Sequence, residues 1–234
     1  MKKNEITTPD KFKLKSWTFL PSKEADNHTS VVLAYADAGN MSWWLTQATI
    51  LSQVGFTVVM FDYRGFGESD NFAIDPRMLY YNEFATDLEA VMNFARKKYA
   101  KNKTGVWAFS MGTIVTTLAA KTVRPDFIIG DGFVTDPAAL KAFYAKKNDE
   151  IKLPAGAGAY PAALQNIKAP MLLFSGTKDE ITPGSAIKKL KETKPAIKIK
   201  SYEGGHMEGF YMLSKDFPGS EYIASITHFL KLHN

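Results

Sequence analysis

The feature that most constrains this sequence is an alternation of short apolar runs with longer segments of helical periodicity. Most of the runs are continuously apolar, which is typical of parallel strands buried on both faces of a sheet. These strands are predicted at 30–36, 57–63, 105–109, 127–131, 170–176 and 197–203. The helical patterns between them lie at 42–54, 80–99, 111–123, 184–194 and 219–232. This alternation of strands and helices predicts an α/β protein with a mostly parallel, doubly wound sheet.

Two regions depart from this alternation. Residues 12–20 alternate between apolar and polar side chains, which predicts an early edge strand. Residues 132–168 are less regular and contain several Gly, Ala and Pro residues, which predicts a mobile loop or a small cap over a site. No repeat, linker or low-complexity tract divides the chain. We therefore expect residues 1–234 to form a single domain that carries this short cap.

The composition excludes several kinds of site. The chain has no cysteine, so a disulfide framework, a thiolate zinc site and a cysteine nucleophile are all ruled out. Its four histidines are too scattered for the ligand spacing of a metal site. We expect neither a metal nor a cofactor.

The charge distribution bears on partners. The net charge is +5, with lysines concentrated in 2–15 and 188–200. Because no nucleic-acid-binding motif accompanies them, we interpret these lysines as two solvated faces and expect no nucleic-acid partner. The N-terminus has Lys2 and Lys3 but no apolar segment of a signal peptide, and no stretch is long enough to span a bilayer. We expect no membrane span and a cytoplasmic location, with the oligomeric state left open.

The strongest local signal is 105-GVWAFSMGT-113, where an apolar strand ends, Ser110 follows and a helical pattern begins. Such a junction presents the serine from a tight turn, which needs small neighbours; Ala108 and Gly112 supply them. The start of the helix also places free N–H groups where an oxyanion would form beside Ser110. Ser110 is therefore a candidate nucleophile, with an ordinary helix-capping serine as the alternative.

Two further polar side chains follow strand ends. Asp179 lies in the loop after 170–176, and His206 follows two glycines after 197–203. Each alone is compatible with a structural role, but a serine nucleophile needs a base, and the base needs a carboxylate to orient it. The carboxyl ends of parallel strands meet at one sheet edge, so we expect these side chains to lie near Ser110. Asp131, which ends the strand 127–131, is the alternative acid.

The chain resembles the α/β-hydrolase superfamily from about residue 16 to 232. The Ser110 motif has Ala108 where glycine is usual. In addition, 61-FDYRGFGESDN-71 resembles the family's D-x-R-G-x-G-x-S loop, in which we expect Arg64 and Asp62 to pair. The segment 35-YADAGNMS-42 resembles the family's H-G-N-A-G-N oxyanion loop. The resemblance, closest to esterase-like serine hydrolases with a small cap, implies a three-layer fold in which helices flank a mostly parallel, twisted sheet.

The resemblance also implies roles for individual residues. It makes Ser110 the nucleophile, His206 the base and Asp179 the orienting acid. The oxyanion hole would consist of the backbone N–H groups of Met111 and Asp37. Here Tyr35-Ala36-Asp37 stands where His-Gly-Asn is usual, so a carboxylate is expected near the developing oxyanion.

These roles predict a serine hydrolase that cleaves a carboxylic ester of a small molecule through an acyl-enzyme at Ser110. Acyl transfer to another acceptor, thioester cleavage and C–C bond hydrolysis are alternatives on the same residues. An inactive binding protein of the same fold is an alternative of another class. We expect the substrate pocket to be lined by apolar and aromatic side chains, namely Trp43, Phe66, Phe133, Tyr160, Met207 and Phe210.

Overall fold

The computed structural model describes residues 1–233, and within them eight strands form one sheet. The strands are β1 Lys2–Thr7, β2 Lys13–Phe19, β3 Thr29–Ala34, β4 Phe56–Phe61, β5 Lys103–Phe109, β6 Ile128–Asp131, β7 Met171–Gly176 and β8 Lys198–Tyr202. Their order across the sheet is β1-β2-β4-β3-β5-β6-β7-β8. The six strands from β3 to β8 pair in parallel, while β1 and β2 pair antiparallel at one side.

Helices lie between the parallel strands and after the last of them. Between β3 and β8 are α1 Leu45–Gln53, α2 Glu83–Lys98, α3 Met111–Val123, α4 Pro137–Lys146, α5 Tyr160–Asn166 and α6 Gly184–Thr193, and after β8 come α7 Gly209–Met212 and α8 Ser220–Lys231. Every residue of β4 and β7 is buried. Because successive side chains of a strand point to opposite faces, both faces of the sheet must be covered. The predicted α/β-hydrolase architecture is confirmed. No helix within residues 1–233 is long and apolar enough to cross a membrane.

The prediction for the N-terminal side of the sheet was wrong in one respect. The alternating segment does form β2, but β2 lies between β1 and β4 and is not an edge strand. The edge is β1, where Ile6 is the only buried side chain. A strand with so little buried surface has no apolar pattern in its sequence, which is why β1 was not predicted.

The segment 132–168 contains regular structure as well as loops. It includes α4 and α5, and both helices have a proline in the first turn, where its missing N–H costs nothing. Tyr160 at the start of α5 is fully buried, and its hydroxyl donates to the carbonyl oxygen of Val134 at 2.6 Å. The end of this segment is therefore packed into the domain. Closure of the segment over the site stays a prediction.

Arg64 pairs with residues other than the one expected. Its guanidinium is buried and donates to Asp87 at 2.8 Å and to Asp10 at 2.6 Å. The expected pair with Asp62 does not form. Asp62 instead accepts a hydrogen bond from the backbone N–H of Met41 at 2.7 Å, and burial raises the pKa of its carboxyl. Asp62 thus anchors the end of the loop that begins at Tyr35.

Candidate active site

Ser110 lies between β5 and α3 in a strained backbone conformation, with φ 46° and ψ −116°. Few non-glycine residues adopt a positive φ, and such residues cluster at functional sites. The turn is tight because α3 begins directly against β3: a Cβ on Gly112 would lie 2.0 Å from the carbonyl oxygen of Ala34. The backbone N–H of Ser110 donates to the carbonyl oxygen of Asp131 at 3.2 Å. These contacts fix the direction of the serine side chain.

The structure brings Ser110, His206 and Asp179 together. The Nε2 atom of His206 lies 2.9 Å from Oγ of Ser110, and its Nδ1 atom lies 2.9 Å from Oδ2 of Asp179. With the ring proton on Nδ1, that nitrogen donates to the carboxylate and Nε2 is left free to accept the serine proton. The three side chains therefore have the geometry of a nucleophile, a base and an orienting acid.

Asp179 is held by four hydrogen bonds. Its Oδ1 atom accepts from the backbone N–H groups of Ile181 and Thr182, at 2.9 and 2.8 Å. Its Oδ2 atom accepts from the Thr182 hydroxyl at 2.6 Å and faces His206. Burial raises the pKa of Asp179, but the hydrogen bonds from His206 and Thr182 outweigh burial and lower it overall. The carboxyl is thus kept ionised beside the imidazole.

The peptide before His206 is held from both sides. The backbone N–H of Gly205 donates to Glu208 at 2.6 Å, and its carbonyl oxygen accepts from the Tyr202 hydroxyl at 2.9 Å. The imidazole ring of His206 is itself close to Gly132, since a Cβ on Gly132 would lie 2.6 Å from Cε1 of the ring. The imidazole therefore lies directly over the backbone that follows β6.

The alternative acid, Asp131, is buried in a different contact. One of its oxygens lies 3.0 Å from the Tyr202 hydroxyl, and within residues 1–233 it makes no hydrogen bond to His206. Burial raises the pKa of Asp131 to about 7. A carboxyl that lies off the imidazole cannot orient its Nδ1–H, so the geometry favours Asp179 in that position.

The two expected oxyanion donors come from the residue after Ser110 and from the loop after β3. Met111 is the first residue of α3, where backbone N–H groups have no partner inside the helix. Asp37 lies in the loop after β3, next to the segment that Gly112 contacts. Its side chain is exposed, so water screens its carboxylate. Tyr35, by contrast, is fully buried, with its hydroxyl 3.5 Å from Asp62.

Two of the six expected pocket residues lie in the core. Tyr160 is fully buried between α5 and α3, where its hydroxyl contacts that of Thr117 at 3.2 Å. Phe210 is also buried, and its ring packs on those of Trp107 and Tyr222. Neither side chain therefore presents an open wall to a substrate.

The other four lie nearer the surface or beside the triad. Trp43 is 68% exposed, whereas Phe66 and Met207 are half-buried. Phe133 is buried and lines a cavity of about 150 Å³ between α4 and the Asp179 loop. Thr182, which contacts both Asp179 and His206, lines the same cavity. This cavity thus extends to Thr182, a side chain that contacts the imidazole.

Sequence reasoning missed Thr182, Tyr202 and Glu208 as parts of the site. Thr182 had a local signal, because a threonine three residues after an aspartate often hydrogen-bonds back to it in a turn. Tyr202, at the end of β8, contacts Asp131 across the intervening strand β7, and such a contact between distant segments had no signal in the sequence. In the part of the chain that the structure describes, no group of three acidic or histidine side chains is arranged to hold a metal ion.

The chain is similar to several known proteins. Residues 27–144, about half of the chain, match the family model described as serine aminopeptidase, S33. An uncharacterised Escherichia coli K12 protein, YfhR, is 27% identical, over 88% of this chain and 73% of its own length.

Two solved structures are similar in fold. The Pyrococcus furiosus esterase Pf2001 has a TM-score of 0.76 at 22% identity, over 99% of this chain and 92% of its own. XC6422 from Xanthomonas campestris, an α/β serine hydrolase without a lid, has a TM-score of 0.68 at 17% identity, over 99% of this chain and 94% of its own. The chain belongs to the serine aminopeptidase S33 family and is an α/β-fold hydrolase.

Proposed function

We propose that this hydrolase is a serine esterase that cleaves a carboxylic ester through an acyl-enzyme at Ser110. The observation that carries the proposal is the continuous chain of contacts from Ser110 Oγ to His206 and from His206 to Asp179, each 2.9 Å long. A serine hydroxyl is a weak nucleophile unless a base within hydrogen-bond reach takes its proton. Both distances lie within that reach.

In the first half-reaction, Oγ of Ser110 attacks the ester carbonyl carbon while its proton passes to Nε2 of His206. The carbonyl oxygen becomes an oxyanion, which accepts hydrogen bonds from the backbone N–H groups of Met111 and Asp37. Collapse of this intermediate breaks the ester C–O bond. His206 returns the proton to the leaving alkoxide, so an alcohol departs and an acyl group remains on Ser110.

In the second half-reaction, a water molecule attacks the acyl carbon and gives a proton to His206. Collapse of the second oxyanion releases the carboxylic acid, and Oγ of Ser110 recovers the proton. Asp179 stays ionised throughout, because its hydrogen bonds from Thr182 and His206 lower its pKa. It orients the ring and stabilises the imidazolium formed in both steps.

The surroundings of the triad favour a small substrate group. The cavity beside Thr182 has a volume of about 150 Å³ and is lined mainly by apolar side chains, including Phe133, Leu140 and Phe143. A protein cavity of this volume accommodates a group about the size of benzene. We propose that it receives a short apolar part of the ester, so p-nitrophenyl esters with short acyl chains are the first substrates to test.

The test is to react the protein with a fluorophosphonate and to assay p-nitrophenyl acetate. We expect covalent labelling at Ser110 and turnover, both abolished by Ser110→Ala. Ser220→Ala is a matched control, because Ser220 begins α8 and bonds only to the neighbouring turn. A folded protein that neither reacts with the fluorophosphonate nor hydrolyses p-nitrophenyl acetate would instead support the alternative of an inactive binding protein.

A second candidate is hydrolysis of an amide that carries a free amino group. The exposed carboxylate of Asp37 favours it, because this side chain belongs to the expected oxyanion loop and can attract an ammonium group that approaches from solvent. An aminoacyl p-nitroanilide assayed beside the ester separates the two. If wild type prefers the anilide and Asp37→Asn loses that preference, the protein is an aminopeptidase. If Asp37→Asn leaves hydrolysis of both substrates unchanged, the result favours the esterase.

A further inference from the structure

The Tyr202 hydroxyl lies between two acceptors. It is 3.0 Å from Oδ1 of Asp131, at the end of β6, and 2.9 Å from the carbonyl oxygen of Gly205. Gly205 directly precedes His206. A single hydroxyl therefore connects a buried carboxyl under the sheet edge to the peptide that carries the imidazole.

Counting donors shows which protonation state satisfies both contacts. A tyrosine hydroxyl has one proton to donate. If Asp131 is ionised, that proton serves either the carboxylate or the Gly205 carbonyl, and one acceptor loses its donor. If Asp131 is neutral, its O–H donates to the Tyr202 oxygen and Tyr202 donates to Gly205. Only the neutral carboxyl makes both hydrogen bonds at once.

Packing around the carboxyl agrees with the neutral state. Asp131 is fully buried, and its Oδ2 atom makes no hydrogen bond of normal geometry within residues 1–233, although the Tyr222 hydroxyl faces the carboxyl. A Cβ on Gly209 would lie 2.5 Å from that oxygen, so backbone closes off this side. A buried carboxylate oxygen that lacks a well-formed hydrogen bond carries a large desolvation cost, which a protonated carboxyl avoids.

We propose that Asp131 acts as a neutral carboxylic acid that, through the Tyr202 hydroxyl, holds the peptide before His206 where the imidazole meets Ser110. Asp131 is thus a positioning residue that acts through Tyr202, and ionisation of its carboxyl releases the Gly205 carbonyl. This inference rests on the proposed function, because its consequence is measured as reactivity of Ser110.

The groups that face Asp131 set the pH at which its carboxyl ionises. Burial is the largest influence and raises its pKa to about 7; Asp179 raises it further, while His206 lowers it. The hydroxyls of Tyr202, from β8, and Tyr222, from α8, also face the carboxyl and lower its pKa. The switch from neutral to ionised Asp131 therefore falls near neutral pH, and reactivity is expected to decline above it.

The experiment measures kcat/KM for p-nitrophenyl acetate, and the rate of fluorophosphonate labelling, from about pH 6 to about pH 9. It compares wild type with Asp131→Asn, whose amide N–H still donates to Tyr202 but never ionises. We expect the variant to match wild type near pH 6. As pH rises, the ratio of wild type to variant should fall about fivefold, the effect of losing one hydrogen bond.

Tyr202→Phe is the second variant. It should lower reactivity at every pH, and adding Asp131→Asn to it should change nothing further, because the connection is already broken. Tyr63→Phe is the matched control: it removes another buried hydroxyl, one without a hydrogen-bond partner in the described chain, and should leave the pH profile parallel to that of wild type. Undiminished reactivity in Tyr202→Phe would overturn the proposal.

Two results separate this inference from the proposed function. If wild type never labels at Ser110, the proposed function fails. If it labels but the ratio of wild type to Asp131→Asn is constant with pH, only the inference fails. Infrared spectroscopy of wild type covers the case in which Asp131→Asn does not fold: we expect a protonated carboxyl band near pH 6 that disappears near pH 9. Absence of that band at the lower pH would contradict a neutral Asp131.

Discussion

At the scale of single residues, the site combines a strained serine with a strongly held acid. Ser110 keeps φ at 46°, a conformation that costs on the order of 1–3 kcal/mol. Asp179, in contrast, receives hydrogen bonds from two backbone N–H groups and two side chains. The strained turn presents the proposed nucleophile, and the rigidly held carboxylate of Asp179 fixes the imidazole ring that contacts it.

Replacing Asp179 with Asn tests the orienting acid. An amide can donate to Nδ1 of His206, which would favour the tautomer with its proton on Nε2, where no proton can be accepted from Ser110. We therefore expect kcat for p-nitrophenyl acetate to fall by roughly 10³- to 10⁴-fold with little change in KM. Steady-state kinetics measures both constants.

The control for that substitution is Glu203→Gln. Glu203 is an exposed carboxylate near the same sheet edge, paired with Lys178, and its loss should change kcat by less than about twofold. An equal loss of kcat in both variants, or no loss in Asp179→Asn, would show that Asp179 does not orient the imidazole.

Asp131 gives folding stability a pH dependence. Its pKa is raised from 3.8 to about 7 in the folded protein. Between these values the folded state binds more protons than the unfolded state, so the free energy of unfolding decreases as pH rises across this window. Asp131→Asn has no carboxyl to ionise at this position and should therefore not show this decrease. Urea unfolding should show wild type losing a few kcal/mol relative to the variant between about pH 5 and about pH 8; parallel curves would contradict it.

At the scale of elements, the site depends on how closely α3 begins against β3. A Cβ on Gly112 would lie 2.0 Å from a backbone oxygen, which cannot move aside as a flexible side chain can. Gly112→Ala should therefore lower the free energy of unfolding by about 1–3 kcal/mol and reduce fluorophosphonate labelling by displacing Ser110. Chemical unfolding and labelling rates measure the two effects.

Gly158→Ala is the matched control, because nothing lies within 4 Å of its added Cβ. We expect a change within about 0.5 kcal/mol and unaltered labelling. If Gly112→Ala were as harmless as this control, the tight junction between α3 and β3 would not be what holds Ser110.

Elements with a strong apolar pattern could be predicted from the sequence, and weakly buried ones could not. The continuously apolar runs became β3 to β7, because strands buried on both faces admit few polar residues. The edge strand β1 has polar side chains on both faces and lacks this pattern. The helices α4 and α5 lie among Gly, Ala and Pro residues, and α5 is fixed by the buried contacts of Tyr160.

The same distinction holds for the site. The proximity of Ser110, Asp179 and His206 could be predicted because each follows a strand end, and parallel strands bring those ends to one edge. The positions of Tyr202 and Arg64 could not, since their partners come from distant segments. The sequence of its loop predicted that Arg64 would pair with the nearby Asp62. Arg64 instead donates to Asp87 and Asp10.

At the scale of the whole molecule, Arg64 joins three parts of the chain. Its buried guanidinium connects the loop after β4 with Asp87 on α2 and with Asp10 between β1 and β2. Asp87→Ala leaves this positive charge buried with only one partner. Breaking a buried ion pair in this way should lower the free energy of unfolding by about 3–5 kcal/mol, measured by urea unfolding.

Asp75→Ala is the control for the buried pair. Asp75 pairs with Lys152 at the surface, where water screens the pair, and its loss should leave the urea unfolding midpoint almost unchanged. Equal effects of the two substitutions would show that the Arg64 contacts do not hold the N-terminal strands to the rest of the domain.

The central claim, that Ser110 carries the acyl group, is tested most directly by mass spectrometry of the protein quenched in acid during turnover of p-nitrophenyl acetate. The account predicts a species heavier by one acetyl group, with the acetyl on the peptide that contains Ser110. Because His206 takes the proton of Ser110 in the first half-reaction, the account also predicts that this species forms much more slowly in His206→Gln. Turnover with no acetyl on Ser110, or the same acetylated species in Ser110→Ala, would contradict it.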